Sequence, residues 1–278
     1  MEALREQTYP RNLYEVLVVL NEPKCRGLAF DLLETEKFFW EPLYFSYNAR
    51  NKGINSSRGD LLAFTDSDTI PAPNWIKHGV QTAHRTDAEL VAGEIRVTTV
   101  NSRLTGPSLF ELLFAFDQKK NVGGGFSTTA NLFVRRECFS KFGLFNRIAA
   151  TGEDFEWSAD AVSAGALLVY GETTVVDHPA RESWGALLAK ARRTTLPVAD
   201  KSSAISQKSR GLKRRVRFRM KARPSPERAA SLTAAQEFRA RLVALVVVAY
   251  KLLCVMRISP AFRNELRSTR AAQAAQRP

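Results

Sequence analysis

A short apolar run, Leu61 to Thr65 (L-L-A-F-T), ends directly in Asp66-Ser67-Asp68. On extended backbone, residues i and i+2 point to the same side, so these two carboxylates are presented together. Crowding like charges is costly unless a cation compensates. Open α/β sheets bind ligands outside the carboxyl ends of their strands, and hard oxygen ligands there suit Mg2+ or Mn2+ bridging a diphosphate. The motif therefore fits an α/β chain whose sheet rim holds a metal and a phosphorylated ligand, although taken alone it is a pattern that unrelated phosphoryl enzymes and plain acidic turns share.

The rest of the chain is read around that rim. Tyr14 to Leu20 (Y-E-V-L-V-V-L) has the aliphatic, β-branched content of a buried strand, and Ala49 to Arg58 fits a helix that ends at Gly59. Pro71 and Pro73 force an extended turn, after which Asn74 caps a helix from Trp75 to about Arg85. Strands are expected over Leu90 to Val100 and Ser127 to Arg135, with a loop at Gly123 to Gly125 and a short helix from Arg136 to Phe142. Gly152-Glu153-Asp154 opens a helix that stops at Gly165, and two further strands, Ala166 to Tyr170 and Thr173 to Val176, lead to His178. Strands alternating with helices imply a mainly parallel sheet.

The formal charge of +13 raises the possibility of a nucleic-acid partner until it is divided along the chain. Residues 1–180 carry 18 Lys/Arg against 23 Asp/Glu, whereas residues 181–278 carry 23 against 5. An acidic body with a basic tail fits a catalytic domain whose tail meets an anionic surface. Aromatic residues in the arm from Lys208 to Arg228 are limited to Phe218, too few to form a stacking platform for single strands. No specific nucleic acid is therefore expected. Cys25, Cys138 and Cys254 form no C-x-x-C pair and, with the absence of a secretory pattern at the N-terminus, indicate a reducing, cytoplasmic setting without structural zinc. Leu242 to Tyr250 and Leu252 to Met256, interrupted by Lys251 and framed by Arg239, Arg241 and Arg257, form an apolar helix. It falls short of the roughly 20 residues that cross a bilayer, so it is expected to lie at the cytoplasmic face of the membrane, the alternative being that it packs on the catalytic domain or pairs with another chain. The resulting division is 1–200 catalytic domain, 201–235 basic linker and 236–278 membrane-proximal helical tail.

Two blocks carry a family resemblance. Ala49-Arg50-Asn51-x-Gly53 through Gly59-Asp60, then Leu61 to Asp68 and Pro73-x-Trp75, resembles the continuous signature of family 2 glycosyltransferases. A second stretch runs from Asn131 through Gly143-x-Phe145 to Gly152-Glu153-Asp154 and closes with Gly165, Tyr170 and Val176 to His178. The resemblance covers roughly residues 1–195. It implies the GT-A fold, a Rossmann-like nucleotide-diphospho-sugar transferase architecture, and an inverting, metal-dependent transfer in synthesis of a cell-surface polysaccharide or glycolipid.

Carried over residue by residue, it implies that Asp66 and Asp68 hold the metal and diphosphate, with Asp68 the more direct ligand and His178 completing the metal shell. Asp154, beside Glu153, would deprotonate the acceptor; both also suit the positive end of a helix dipole. Arg50 and Asn51 would line the nucleotide pocket, whereas Lys190, Arg192 and Arg193 read better as a solvated face than as diphosphate ligands. The chain departs from the family by starting after its first strand and by carrying Leu20-Asn21-Glu22 where an Asp-containing turn is usual. A longer native protein, or a truncated and inactive relative kept for scaffolding, is the corresponding expectation. Phe64-Thr65-Asp66-Ser67-Asp68-Thr69 also fits the D-x-D-x-T pattern of haloacid-dehalogenase phosphatases, in which Asp66 would be a nucleophile.

Overall fold

The computed structural model describes residues 1–22, 31–99, 104–147, 149, 151–204 and 224–256. Cys25, Arg257 and the stretch of the basic arm from 205 to 223 lie outside the described residues. In chain order the elements are α1 (Glu2–Arg5), a 3-10 turn (Arg11–Leu13), β1 (Val16–Leu20), β2 (Glu36–Trp40), α2 (Ser46–Ser56), β3 (Leu61–Thr65), β4 (Ile70–Pro71), α3 (Trp75–Thr86) and β5 (Leu90–Thr98). There follow α4 (Gly106–Phe114), α5 (Gln118–Gly123), β6 (Asn131–Arg135), α6 (Glu137–Phe142), α7 (Glu153–Ser163), β7 (Leu168–Pro179), α8 (Trp184–Ala204), α9 (Pro226–Ala230) and α10 (Ala234–Met256).

The α/β class holds, but the strand directions differ from the expected mainly parallel sheet. β1 and β2 form a parallel pair, whereas in the five-stranded sheet, ordered β3-β6-β5-β7-β4, the pairs β3–β6, β5–β6 and β4–β7 are antiparallel. Alternation of strands and helices in sequence does not fix strand direction. β6 runs back along β3, setting Asn131 opposite Thr65 and Arg135 opposite Leu61. The two short strands expected before His178 are one continuous β7. Gly171 lets the strand pass close to its neighbours, since a Cβ there would sit 2.9 Å from both Val91 Cγ1 and Thr174 Oγ1.

Two compact units make up the chain, one of residues 1–96 and 118–178, the other of residues 97–117 and 179–278. The core of the first gathers Ile54 of α2, Leu62 of β3, Leu90 of β5, Leu132 and Val134 of β6, and a set of rings. Phe139 stacks on Trp157 at 4.9 Å between centroids, and Phe64 meets Phe139 and Phe145 edge-on at 6.0 and 5.9 Å, arrangements that add to the burial of the rings themselves. In this way the strand that leads to Asp66 is clamped from behind.

In the second unit α4, α8 and α10 pack together, with Leu109 and Leu113 of α4 meeting Ala240, and Leu187 and Ala191 of α8 meeting Val243 and Val247. Glu111 is buried there against Lys190 Nζ at 2.6 Å and Arg181 Nη1 at 3.0 Å. Burial alone would raise the Glu111 carboxyl; Lys190 and then Arg181 outweigh it and hold the group below the usual carboxylate range. Lys190, half-buried, is thus the ion-pair partner of a buried carboxylate, where a solvated face was expected.

Candidate active site

The acidic motif lies on a turn, not on extended backbone as expected. β3 stops at Thr65, and the Asp66 carbonyl accepts bonds from the Thr69 N–H at 3.2 Å and the Thr69 hydroxyl at 2.7 Å. This i to i+3 closure folds Asp66, Ser67 and Asp68 over the rim. The chain then pairs as β4 with β7, Ile70 opposite Asp177. That register carries the next residue, His178, up to the turn. His178 is buried, at 1% exposure, and its Nε2 lies 3.8 Å from Asp68 Oδ1.

One ligand atom from each of Asp66, Asp68 and His178 lies within 4.8 Å of the others. Two carboxylates and a neutral imidazole offer a divalent cation two negative charges and three donor atoms, and the exposure of Asp68 leaves room for it to close on an ion. The residues present therefore fit such a cation. All three ligand positions expected from the sequence converge.

A second line of side chains comes from α2. Residues three and four apart share a helix face, so Tyr47, Arg50, Asn51 and Ile54 project together. Ile54 enters the core. Arg50 donates from Nη2 to Asp66 Oδ1 at 2.7 Å and from Nη1 to Ser46 Oγ at 2.9 Å, and its guanidinium carbon lies 5.2 Å from the centre of the Tyr47 ring. Tyr47, buried, donates its hydroxyl to Asp154 Oδ1 at 3.0 Å and accepts from the Glu153 backbone N–H at 3.1 Å. Burial first, and then the Asp154 charge, push the Tyr47 phenol well above its ordinary range, so the hydroxyl stays protonated and able to donate. The other carboxylate oxygen of Asp154 accepts the Thr129 backbone N–H at 3.2 Å.

One helix therefore touches both the acidic turn, at Asp66 through Arg50, and Asp154, through Tyr47. Asn51 has a different part. It is buried, its amide nitrogen donates to the Phe145 carbonyl at 2.8 Å, and its amide oxygen accepts the Phe145 N–H at 3.1 Å. Glu153 is likewise buried and accepts the Asn146 N–H at 2.8 Å. Through these bonds both brace the Phe145 segment.

Two contributors escape a reading of the sequence. Tyr47 falls before the helix start expected at Ala49; its spacing of three and four from Arg50 and Asn51 is the signal that points to it. The Thr129 N–H leaves no side-chain signature, because any residue but proline would supply it.

A family model described as glycosyl transferase family 2 matches residues 1–143. Glycosyltransferase AglE of Haloferax volcanii is 33% identical over 199 residues, covering 68% of this chain and 64% of that protein. Succinoglycan biosynthesis protein ExoM of Rhizobium meliloti is 25% identical over 170 residues, covering 59% of this chain and 54% of that protein. The chain thus spans less than two thirds of either relative. Among solved structures, mannosyltransferase PcManGT from Pyrobaculum calidifontis, in complex with GDP-Man and Mn2+, matches with a TM-score of 0.49 and 15% identity, over 100% of this chain and 76% of that one.

Proposed function

We propose, from the premise that the chain belongs to glycosyl transferase family 2 and has its GT-A type α/β fold, that it moves a sugar from a nucleotide-diphosphate donor to an acceptor hydroxyl in the making of a cell-surface polysaccharide or glycolipid. The observation that carries this reading is the meeting of Asp66, Asp68 and His178 beside a helix whose Arg50 and Tyr47 reach Asp66 and Asp154 respectively. The phosphatase alternative does not survive the family assignment.

In this reading Asp66, Asp68 and His178 hold a divalent cation, and their mixed oxygen and nitrogen donors favour Mn2+ over Mg2+. Such an ion, when bound, supplies charge neutralisation for the departing diphosphate. Asp154 is the base. As the acceptor oxygen bonds to the anomeric carbon, its proton passes to the Asp154 carboxylate, while the bond to the nucleoside diphosphate breaks on the opposite face and the configuration inverts. Tyr47 and the Thr129 N–H fix both oxygens of that carboxylate, and each oxygen keeps a second lone pair for the incoming proton. A base held at two points is already oriented for attack.

A thermal-shift screen of nucleoside diphosphates with and without Mn2+ tests the reading. Stabilisation by one nucleotide, only with metal and lost in Asp68→Ala, is the expected result. No stabilisation by any nucleotide–Mn2+ pair would reject it.

The same reading places the chain at the cytoplasmic face of a membrane. No helix among the described residues is long and apolar enough to cross one. While Ala240, Val243 and Val247 of α10 are buried, Phe238, Leu242, Leu245 and Leu252 recur at steps of four, three and seven on an exposed face, Leu245 at 67% exposure. A solvent-facing apolar stripe in the basic third of the chain suits an anionic lipid surface, whereas a second copy would bring like charge against like. Flotation with anionic vesicles at low salt, abolished by Leu245→Glu with Leu252→Glu, is expected. Full-length protein that stays unbound under those conditions would refute it.

A further inference from the structure

The Arg50–Asp66 contact bears on how the cation reaches its site. Asp66 is one of the three convergent ligands, yet its Oδ1 already accepts a guanidinium N–H at 2.7 Å. Arg50 is held for that contact by Ser46 Oγ and by the ring of Tyr47, and its side chain is only 19% exposed. A charge-assisted bond of this kind, partly shielded from water, is stronger than a neutral one and less screened than an exposed pair. A cation drawing on Asp66 is brought close to the Arg50 guanidinium, and repulsion between like charges at that carboxylate sets the two in competition. A bare metal ion gives the displaced guanidinium nothing in return. A metal that arrives with a diphosphate brings phosphate oxygens that the planar fork of Arg50 matches as well as it matches a carboxylate.

We propose that Arg50 is a stand-in counterion, which Asp66 exchanges for a divalent cation and which then pairs with the diphosphate accompanying that cation. The proposal rests on the metal-dependent transferase reading above and adds an order of events to it. Free metal binds poorly, metal and nucleotide bind as a unit, and Arg50 is the residue that couples them. Coupling is reciprocal, so bound metal strengthens nucleotide binding by the same factor by which nucleotide strengthens metal binding. While donor is absent, the exchange also leaves Asp66 paired, so that the acidic rim does not face water as two uncompensated carboxylates.

The test measures metal binding directly. Free Mn2+ is followed by its electron paramagnetic resonance signal during titration of wild type, Arg50→Gln and Arg50→Lys, each without nucleotide and then with GDP or UDP. Circular dichroism confirms that each variant is folded, and Arg50→Lys, which keeps the charge but loses the fork, serves if the glutamine variant is not. Arg50→Gln is expected to bind bare Mn2+ about tenfold more tightly than wild type and to lose about tenfold in nucleotide-dependent binding, within the range usual for coupled sites. Arg50→Lys should fall between them on both measures. Bare Mn2+ binding that is unchanged or weaker in Arg50→Gln overturns the exchange, even if nucleotide binding falls. Absence of Mn2+ binding in wild type and variants alike, with and without nucleotide, overturns the metal reading itself and the exchange with it.

Discussion

Replacing Asn131 should take apart the sheet that supports the site. Asn131 is fully buried at the start of β6, opposite Thr65 and so beside the turn that carries Asp66. Its amide nitrogen donates to the carbonyls of Glu94 in β5 and Thr174 in β7, both at 2.8 Å, and its amide oxygen accepts the indole N–H of Trp75 in α3 at 2.8 Å. One side chain thus ties three elements to the strand beside the motif. In Asn131→Ala the buried indole N–H loses its acceptor, at about 1–3 kcal/mol, and each carbonyl loses a donor at about 1 kcal/mol. The sum, roughly 3–5 kcal/mol, is a large part of the 5–15 kcal/mol typical of a folded domain. Asn131→Asp should be worse at neutral pH, because it turns a carboxylate toward two carbonyl oxygens, and should recover partly on acidification as that carboxylate takes up a proton. Urea unfolding followed by circular dichroism measures both. A loss below about 1 kcal/mol in Asn131→Ala would mean that water or a repacked neighbour replaces the amide, and the bracing argument would be wrong.

Three further outcomes are expected. Tyr47→Phe removes one of the two bonds that orient Asp154, and should lower kcat by about 10- to 100-fold while leaving the KM for donor nearly unchanged, since α2 keeps its Arg50 contact; steady-state kinetics decide it. Gly79→Ala should destabilise by about 1–3 kcal/mol or more, because a Cβ there would lie 2.3 Å from the buried Phe133 ring; a thermal melt shows it. Glu36 is held down to about 2, mainly by its bonds to Arg5, with the Leu33 N–H and Arg11 adding to them. Its folded value is below the unfolded one, so its contribution to stability is complete above the ordinary carboxylate range and is lost as pH falls from there through about 2. Glu36→Gln should therefore flatten the acid limb of a stability–pH curve measured by urea unfolding, and an unchanged limb would assign that limb to other groups.

The local elements of the first unit were legible because they follow from residues close together in the chain. A short apolar run ending in two aspartates marked β3 and its rim, and a following glycine marked where α2 and α7 end, near Gly59 and Gly165. His178 was reachable because it stands two residues after the apolar end of an expected strand, at Val176, where the family resemblance puts a metal ligand.

What the chain does at long range was decided by tertiary structure alone. Strand direction depends on where β6 re-enters the sheet, which alternation of elements does not encode. Packing sets Asn51 and Glu153 against backbone groups of Phe145 and Asn146 in a buried segment, where unpaired N–H and C=O groups are costly. The converse holds for Tyr47, whose hydroxyl reaches a carboxylate 107 positions away only because α2 and α7 meet over the same aromatic core. Short-range pattern fixes which faces are apolar and which ends carry charge. Which polar group finds which partner depends on contacts between distant segments, and those exist only once the core has closed.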